Sequence, residues 1–585
     1  MKFGPTARLG DVLDHPEGRR AVDTLLPGLS DHPSLEMIRS MPLGNLFDHV
    51  GDTVDKDSLA VFWKTLGAIE RTVKHRGIGV ASRPLPDYEA DDVAQASAAA
   101  TAPASASLWS TVEIAITGPS HGNPFTDVEL TADFRLDSPG GVRAATAGGF
   151  YDGDGRWIVR FLPDAPGRWT FTTASNARSL DRITGSIEIT DAVPGDHGPV
   201  RADGFHFAHA DGTRHLPFGT TAYAWIHQPA DVRAETLRTL AEAPFTKLRM
   251  CVFPKSYLHN TNEPDLYPFE GSPDDGFDFT RPNPAFFRHL EQSVTELGLL
   301  GIQADVVLFH PYDRWDFAEM GAAADDRYTT YVVRRLSAYP NLWWSMANEY
   351  DLMYAKTEQD WERLAALVVA DDPARHLLSI HNFRPLYDHS RPWITHASVQ
   401  ATDPYTATVQ VDAWRKEWGK PVVVDECGYE GNLESGWGNL SGRELTRRFW
   451  EAAVRGGYAG HGETYHRDDD QIWWAKGGEL TGDSPARIAF LRRITQEAPG
   501  GILEPLPHTL DIPQAGVGDD YLLHYFGFFR PSFRNITLPP DRHYRIDVID
   551  TWNMTVDALP GTHTGTVRVE LPGREYMALR ITAVR

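Results

Sequence analysis

Between residues 200 and 500 the chain repeats one pattern eight times: a short, largely apolar segment followed by a stretch with helical spacing. The apolar segments cover residues 216–223, 246–253, 301–309, 342–348, 377–383, 394–400, 421–426 and 458–464. Near-continuous apolar strands that alternate with amphipathic helices are typical of a parallel sheet covered on both faces. Eight such units in about 300 residues favour a closed (β/α)8 barrel over an open doubly wound sheet, and no G-x-G-x-x-G motif follows the first strand.

The intervening stretches carry recognisable helix starts. Asn283-Pro284 precedes one helical pattern, because asparagine caps a helix well and proline is tolerated in its first turn. Thr357 and Ser441 each stand three residues before an acidic residue, which is the spacing of a capping box. These positions predict the beginnings of three barrel helices.

The rest of the chain divides by composition and period. Strand-like segments of period two, separated by Gly, Pro and Asp turns, predict a β-sandwich on each side of the barrel. The predicted domains are a helical appendage at 1–87, an Ala/Ser-rich linker at 88–107, an N-terminal β-sandwich at 108–193, the barrel at 194–500 and a C-terminal β-sandwich at 501–585. The fold class is therefore α/β, a TIM barrel flanked by two β-sandwich domains with a short helical appendage.

Charge and cysteine content limit the classes of binding partner and the cellular compartment that the protein suits. A formal net charge of −24 argues against nucleic acid and anionic membranes, because both need a basic surface. The two cysteines form no disulfide framework, the first residues lack the apolar segment of a signal peptide, and no long apolar run is present. These features predict a cytoplasmic protein. They leave the oligomeric state open, with a homo-oligomer as one option.

Two glutamates close strands on opposite sides of the predicted barrel. Glu349 follows the fourth strand and Glu426 ends the seventh. Active sites of such barrels lie at the C-terminal ends of the strands, so the two carboxyl groups should face each other there. Glycoside hydrolysis uses such a pair, one to protonate the leaving oxygen and one to attack or to activate water. A single glutamate at a strand end is more often a salt-bridged or solvated residue, so the prediction rests on the pair.

The residues before Glu349 add an electrostatic expectation. They read NLWWSMAN, with Trp343, Trp344 and Met346 leading up to the carboxylate. Apolar surroundings disfavour the charged form of a carboxyl group, so the pKa of Glu349 should be raised, as a general acid requires.

The motifs around both glutamates resemble one enzyme family. Asn348-Glu349 at strand four, VVVDECGYEG around Glu426 at strand seven, and GHGETYHRDDDQIWWAKGG further on resemble the clan A retaining glycoside hydrolases. They look most like the apiosidase-like, uncharacterised branch, which carries a β-domain on each side of the barrel. The resemblance covers roughly residues 108–585. It implies that Glu426 is the nucleophile, Glu349 the acid/base and Asn348 the partner of the sugar 2-hydroxyl. It also implies that Arg249 orients the nucleophile and that no cofactor is needed.

Further side chains are candidates for binding the substrate, by their position and by the same resemblance. They are His310, Trp225, His381, Asn382, Tyr405, Glu430, His461, Glu463 and Trp474. Several have a plain alternative role: a supporting residue behind the site for the histidines, core packing for Trp225 and Tyr405, and a solvated loop for Glu430.

The predicted function is that of a retaining exo-glycosidase acting on a small oligosaccharide or glycoside, a small carbohydrate, by double displacement. The long loop 254–284 would wall off the site and so favour exo action. Two alternatives stay open, a non-catalytic carbohydrate-binding protein and a metal-dependent barrel hydrolase. The metal alternative would use His310, Asp313, His461, Glu463 and His466, whose spacing matches no zinc pattern. No metal is therefore predicted.

Overall fold

The chain is described from a computed structural model. It covers residues 2–5, 7–32, 35–39, 41–50, 54–70, 75–138, 141–403, 405–507 and 511–584. The central element is a barrel of eight parallel strands. They are β1 Gly219–Thr221, β2 Lys247–Cys251, β3 Gln303–Phe309, β4 Leu342–Ala347, β5 Leu377–Ser379, β6 Ala397–Gln400, β7 Val422–Glu426 and β8 Tyr458–His461.

The barrel is nearly closed. β1 pairs with both β2 and β8, and the sheet runs from β5 through β1 to β6. β5 and β6 form no ladder of their own, but the Thr395 N–H donates to the Leu378 carbonyl at 2.9 Å across the gap. All eight strands lie within the segments predicted from the apolar pattern, and the predicted barrel is confirmed.

Amphipathic helices cover the outside of the barrel. The long ones are Ala230–Glu242, Pro284–Leu299, Ala322–Leu336, Glu358–Asp371, Val411–Trp418, Gly442–Val454 and Ser484–Gln496. Asn283, Thr357 and Ser441 cap three of them as predicted, and Thr357 forms a full capping box. β5 and β6 are joined without a helix. Among the described residues, no helix combines the length and the apolar character needed to cross a bilayer.

The N-terminal end of the barrel is closed by a small antiparallel sheet. Its strands are Val200–Asp203, His206–His209 and Arg214–His215. Phe207 of the middle strand packs on Trp343 of β4, with ring centroids 5.0 Å apart. The barrel is therefore plugged at this end, and only its opposite end is available for a site.

The N-terminal β-sandwich has the predicted antiparallel strands and several more. Its strands are Ala99–Thr101, Ser105–Ser107, Val112–Thr117, Leu130–Ser138, Gly141–Tyr151, Arg156–Phe161, Gly167–Ser175 and Thr184–Thr190. Residues 99–101 pair with strand 112–117, and residues 105–107 pair with strand 184–190. The segment 88–107, which was predicted to be a linker, thus contributes two edge strands. Strand pairing uses backbone hydrogen bonds, which do not depend on the side chains, so the Ala/Ser-rich composition gave no sign of these strands.

A buried charge network joins the sandwich to the barrel. Arg160 of the sandwich and Arg335 of a barrel helix both contact Glu291, at 2.7 and 2.5 Å. Arg335 also contacts Asp152 of the sandwich at 2.8 Å. Because all four groups are buried, removal of one would leave an unpaired buried charge. The two domains are therefore coupled through this network.

The helical appendage has a small core of its own and docks on the barrel. Its helices are Leu9–Asp14, Pro16–Leu25, Leu35–Ile38, Leu43–Val50 and Lys56–Leu66. The buried Arg8 contacts Glu319 at 2.9 Å and Asp316 at 3.0 Å, and it donates to the Asp313 carbonyl at 3.2 Å. All three acceptors belong to the loop after β3, so the appendage braces one loop at the C-terminal end of the barrel.

The C-terminal β-domain packs on the helix that follows β7. Its strands are Glu504–Pro505, Gln514–Val517, Tyr521–Tyr525, Phe533–Thr537, Tyr544–Asp550, Thr555–Ala558, Thr566–Glu570 and Met577–Ala583. Strands 533–537 and 566–570 pair apart from the remaining six. Tyr525 stacks on Trp450 with centroids 5.5 Å apart, and Glu504 contacts Arg415 at 2.5 Å.

Deletion of residues 501–585 is expected to give insoluble protein, because the apolar surface around Trp450 would face water. The single change Trp450→Ala should lower the free energy of unfolding by about 3–5 kcal/mol, the usual cost of removing a buried tryptophan. Urea denaturation measures the second effect and centrifugation of expressed protein the first. A soluble truncation with full activity would show that this interface contributes little.

Candidate active site

A charged layer fills the barrel interior below its open end. Lys247 and Arg249 are two residues apart on β2, so both side chains point inward. The Lys247 ammonium contacts Asp305 and Asp425, each at 2.6 Å, and Arg249 lies 3.4 Å from Asp425. Although burial favours the neutral acid, these two cations hold the pKa of Asp425 well below its ordinary value. This layer is the floor of the site.

Glu426, at the end of β7, is held as a carboxylate directly above that floor. The Tyr223 hydroxyl donates to its Oε1, and His381 Nε2 lies 3.5 Å from the same oxygen. Burial alone would favour the neutral acid. The hydrogen bond and charge of His381, the charge of Arg249 and the hydrogen bond from Tyr223 outweigh it and lower the pKa of Glu426 to about 2.

Glu349, the residue that follows β4 by two positions, is held in the opposite state. Its backbone has φ 53° and ψ 58°, a left-handed conformation that non-glycine residues adopt mainly at constrained sites. The Tyr312 hydroxyl donates to its Oε2. Burial and the negative charge of Glu426 raise the pKa of Glu349 to about 7, against the opposing charge of Lys255 and the hydrogen bond from Tyr312.

The raised pKa has the predicted direction but a different cause. Trp343 lies at the plugged end of the barrel, with the Lys247 ammonium 5.4 Å from its ring. Trp344 points to the helix layer, where its indole N–H donates to Asp372 at 3.1 Å. The tryptophans before Glu349 are therefore core residues, and the surroundings of the carboxyl come from other strands and loops.

Asn348 is oriented by two hydrogen-bond donors. Its Oδ1 accepts from Tyr223 at 2.6 Å and from Arg249 at 3.3 Å. Because a guanidinium can only donate, the amide oxygen must face Arg249, and the amide NH2 faces the other way. The Arg249 guanidinium bonds Asn348 and Ser398 and lies 3.4 Å from Asp425, and its charge helps to lower the pKa of Glu426. It therefore acts on Glu426 electrostatically.

Aromatic rings form the wall of the site. Trp474, a predicted residue, lies 5.8 Å from Tyr223, 5.3 Å from Tyr257 and 4.9 Å from Trp437, between ring centroids. Lys255 lies among these rings, its ammonium 3.7 Å from the Tyr223 centroid and 5.3 Å from that of Trp474. These surfaces suit the C–H face of a sugar ring.

Other predicted residues stand just behind the pair. His381 bonds Ser398 at 3.0 Å and Gln400 at 3.2 Å besides approaching Glu426. Asn382 accepts from the Gln400 N–H at 3.0 Å and donates to its carbonyl at 3.2 Å, which ties β5 to β6. His310 is buried against the Phe253 carbonyl at 3.1 Å, and burial lowers its pKa to about 3.

The remaining predicted residues make their contacts elsewhere. Trp225 is a core residue whose indole N–H donates to the Arg233 carbonyl at 3.3 Å. His461 bonds Thr220 at 2.8 Å and stacks on Phe245, in the layer outside the barrel wall. Tyr405 is 75% exposed.

Glu430 and Glu463 hold a loop together. Glu463 accepts from the backbone of Thr481 and Gly482 at 2.7 and 2.8 Å, and Glu430 accepts from the backbone N–H groups of residues 483 and 484. Both carboxylates therefore anchor the start of the last barrel helix and do not face Glu349 and Glu426.

Several site residues were not predicted. Tyr223 and Gln400 lie at or just beyond the ends of β1 and β6, so their positions were predictable in the same way as those of the glutamates. Lys255, Tyr257 and Tyr312 lie on the loops after β2 and β3. No periodicity in the sequence marks these three residues.

Comparisons with known proteins identify the family of this chain. Residues 201–485 match a family model described as an apiosidase-like catalytic domain. Residues 105–176 and 510–582 match two families, each described as a domain of unknown function. The crystal structure of a proposed glycoside hydrolase from Bacteroides vulgatus is 38% identical, with a TM-score of 0.77, and the match covers 82% of this chain and 100% of that one. The chain belongs to the apiosidase-like glycoside hydrolases.

More distant structures share the fold. A glycoside hydrolase family 5 protein from Bacteroides vulgatus is 15% identical, with a TM-score of 0.50, over 67% of this chain and 95% of that one. A further glycoside hydrolase is 15% identical, with a TM-score of 0.51, over 67% of this chain and 98% of that one. No curated protein matches the chain. Membership of the family makes this chain a glycosidase.

The residues considered for a metal site do not converge. His310 and His461 bond a backbone carbonyl and a threonine, and Glu463 holds its loop. Asp313 accepts from backbone N–H groups of residues 315 and 318. In the described part of the chain, no group of three or more His, Cys, Asp or Glu side chains is arranged to hold an ion.

Proposed function

We propose that the protein hydrolyses a small glycoside or oligosaccharide with retention of configuration, using Glu426 as nucleophile and Glu349 as acid/base. One observation carries the proposal: two buried glutamates at opposite strand ends have pKa values on opposite sides of the ordinary range, about 2 for Glu426 and about 7 for Glu349. Pairs of titratable groups whose surroundings push their pKa values apart are the mark of divided acid and nucleophile roles.

In the first step the Glu426 carboxylate attacks the anomeric carbon while Glu349 gives its proton to the departing glycosidic oxygen. The product is a glycosyl-enzyme ester, in which Glu426 carries no charge. Because the charge of Glu426 is one cause of the raised pKa of Glu349, that pKa should fall once the ester forms. Glu349 is then suited to act as a base and activate water for the second step.

The surrounding residues suit these roles. The Asn348 amide NH2, turned away from Arg249, is available for the sugar 2-hydroxyl. Tyr223 contacts both Asn348 and Glu426, so it fixes the attacking carboxylate relative to that amide. His381 lies 3.5 Å from the same carboxylate, and Trp474 offers an apolar face to the sugar ring.

Exo action is supported by the loop after β2. Residues 254–284 bring Lys255 and Tyr257 against the site, and the loop ends in the hairpin Phe269–Ser272 and Gly276–Pro282. A wall on this side of the site would admit the terminal sugar of an oligosaccharide more readily than an internal one. A cytoplasmic location, which we also propose, would limit the substrate to molecules small enough to be imported; both cysteines are free and buried.

The proposal is tested by the stereochemistry of the first product. A panel of α- and β-linked 4-nitrophenyl glycosides, pyranoside and furanoside, identifies a substrate, and proton NMR then follows the anomeric signal during hydrolysis. We expect the first sugar released to keep the configuration of the substrate before mutarotation begins. Release of the opposite anomer would assign an inverting mechanism, with one glutamate activating water directly.

A further inference from the structure

Lys255 differs from the other buried lysines of the described chain. Lys247 contacts Asp305 and Asp425 at 2.6 Å, Lys356 contacts Asp325 at 2.7 Å, and Lys476 contacts Asp470 at 3.0 Å. Lys255 is as buried as these three. Among the described residues, no acceptor lies within hydrogen-bond distance of its ammonium, and no carboxylate lies within 4.0 Å.

Aromatic rings surround this ammonium instead. It lies 3.7 Å from the ring centroid of Tyr223, 4.4 Å from Tyr312, 4.8 Å from Tyr257 and 5.3 Å from Trp474. Ring faces attract a cation but accept none of its hydrogen bonds in the way an oxygen does. The ammonium of Lys255 is therefore left without a protein acceptor for its N–H groups, although the residue is buried.

The position of the cage connects Lys255 to the reaction. The Tyr223 hydroxyl bonds Glu426 and the Tyr312 hydroxyl bonds Glu349, so the ammonium lies between the rings that hold the two carboxyl groups. The Tyr257 hydroxyl, on the same loop, is also buried and without a partner. Two unpaired polar groups of one loop thus lie beside the tyrosines that bond Glu426 and Glu349.

We propose that Lys255 and Tyr257 bind a carboxylate on the sugar in the −1 subsite, so that the substrate is a glycoside of an acidic sugar. The inference rests on the proposed function, because it places that sugar between Glu349 and Glu426. An ammonium is a donor-only group, and a carboxylate is the acceptor-only group that complements it, whereas a hydroxyl would also need an acceptor for its own hydrogen. Every other buried lysine in the described ranges has a carboxylate partner, and the substrate would supply the missing one.

Burial also lowers the pKa of Lys255, which is the response of a cation held without a close counter-ion. A bound carboxylate would reverse that effect. The charges of Glu349 and Glu426 act on Lys255 over a longer distance, and both groups are engaged by tyrosines. They therefore do not replace a direct partner.

The experiment compares 4-nitrophenyl hexuronides with the matching neutral hexosides, for the wild type and for Lys255→Met. We expect kcat/KM of the wild type to be higher for a hexuronide than for its neutral counterpart. Lys255→Met should lose about 100-fold on the hexuronide and only a few-fold on the neutral glycoside, because one charged hydrogen-bonding partner is removed. Tyr257→Phe should show the same selectivity with a smaller loss.

Lys356→Met is the matched control. That lysine is also buried and its ammonium lies 4.9 Å from the Phe309 ring, but Asp325 contacts it at 2.7 Å. Its replacement should lower the melting temperature without changing the ratio between acidic and neutral substrates. An equal loss of Lys255→Met on both substrate classes would overturn the acidic-sugar proposal.

Calorimetric binding of D-glucuronate and D-galacturonate, against D-glucose and D-galactose, separates the two proposals. Hexuronate binding that depends on Lys255, without hydrolysis of any glycoside, would uphold the carboxylate-binding site while refuting the proposed function. Hydrolysis of neutral glycosides alone, unaffected by Lys255→Met, would do the reverse.

Discussion

Replacement of Glu426 by alanine is expected to reduce the hydrolysis of every glycoside by roughly 10⁵-fold, including those with activated leaving groups. Without the carboxylate no glycosyl-enzyme ester can form, whatever the leaving group. The measurement is kcat/KM for a 2,4-dinitrophenyl glycoside and for an unactivated alkyl glycoside of the same sugar. Both should fall together, because the loss lies in the attacking group and not in protonation.

Azide gives this prediction a stereochemical readout. The space vacated by the Glu426 side chain lies below the anomeric carbon, so added azide should attack there directly and give a glycosyl azide of inverted configuration. Glu463→Gln is the control, since that buried carboxylate holds Thr481 and Gly482 and does not face Glu349. It should lower stability and leave the turnover number close to wild type. A Glu426→Ala protein that still hydrolyses an alkyl glycoside at near wild-type rate would remove Glu426 from the mechanism.

The barrel could be predicted because its strands are apolar on the face that meets the helices, and mostly apolar inside as well. The inner face carries a few charged exceptions, namely Lys247, Arg249 and Asp305. The strands that contain them are still apolar enough to be recognised. The two glutamates followed from the same pattern, because the C-terminal end of each strand can be located to within a residue or two. Helix starts at residues such as Thr357 were predictable from local capping chemistry.

The contacts of individual side chains were harder to predict, for a geometric reason. Knowing where a strand ends does not say which face its last side chain occupies, and the face depends on register. His461 is in register with Thr220, and both point outward, whereas Thr221 is in register with Arg249, which points inward. Tyr312 reaches Glu349 from a loop, where neither period two nor period 3.6 applies.

Composition misled in one further place. The segment 88–107 reads as a linker because alanine and serine contribute little to a core. Its residues 99–101 and 105–107 nevertheless complete edges of the sandwich by backbone pairing, which depends on the strands already present beside them. Such pairing depends on distant parts of the chain, so local composition could not reveal it.

Replacement of Glu349 by alanine is expected to have an effect that depends on the leaving group. A 2,4-dinitrophenolate leaves without protonation, so the first step should survive, and glycosyl-enzyme should accumulate as a burst followed by slow turnover. An alkyl glycoside needs the proton and should lose about 10²–10⁴-fold. Stopped-flow measurement of dinitrophenolate release, with mass spectrometry of the trapped enzyme, separates this variant from Glu426→Ala.

The pH dependence of kcat/KM for the wild-type enzyme should report the ionisation of Glu349. This group works when protonated, so kcat/KM should fall as the pH rises through its pKa of about 7. Glu426 works when ionised, and its pKa of about 2 places the acid limb far lower. In Glu349→Ala the fall near pH 7 should disappear for the activated substrate. A fall that persists unchanged in the variant would assign the basic limb to another group.

Azide distinguishes the two glutamates once more. In Glu349→Ala it should attack the glycosyl-enzyme from the face that the missing carboxyl occupied and give a product of retained configuration, the opposite of the product from Glu426→Ala. Glu349→Gln is the matched variant, since it keeps the side chain next to Tyr312 in the left-handed backbone that this position requires. It should show the same loss on alkyl glycosides with little azide rescue, because the space stays filled. If the two alanine variants gave each other's azide products, the roles of the two glutamates would be reversed. Glu349 would then be the nucleophile despite its raised pKa, and the contacts of Tyr223 and His381 with Glu426 would not identify the nucleophile.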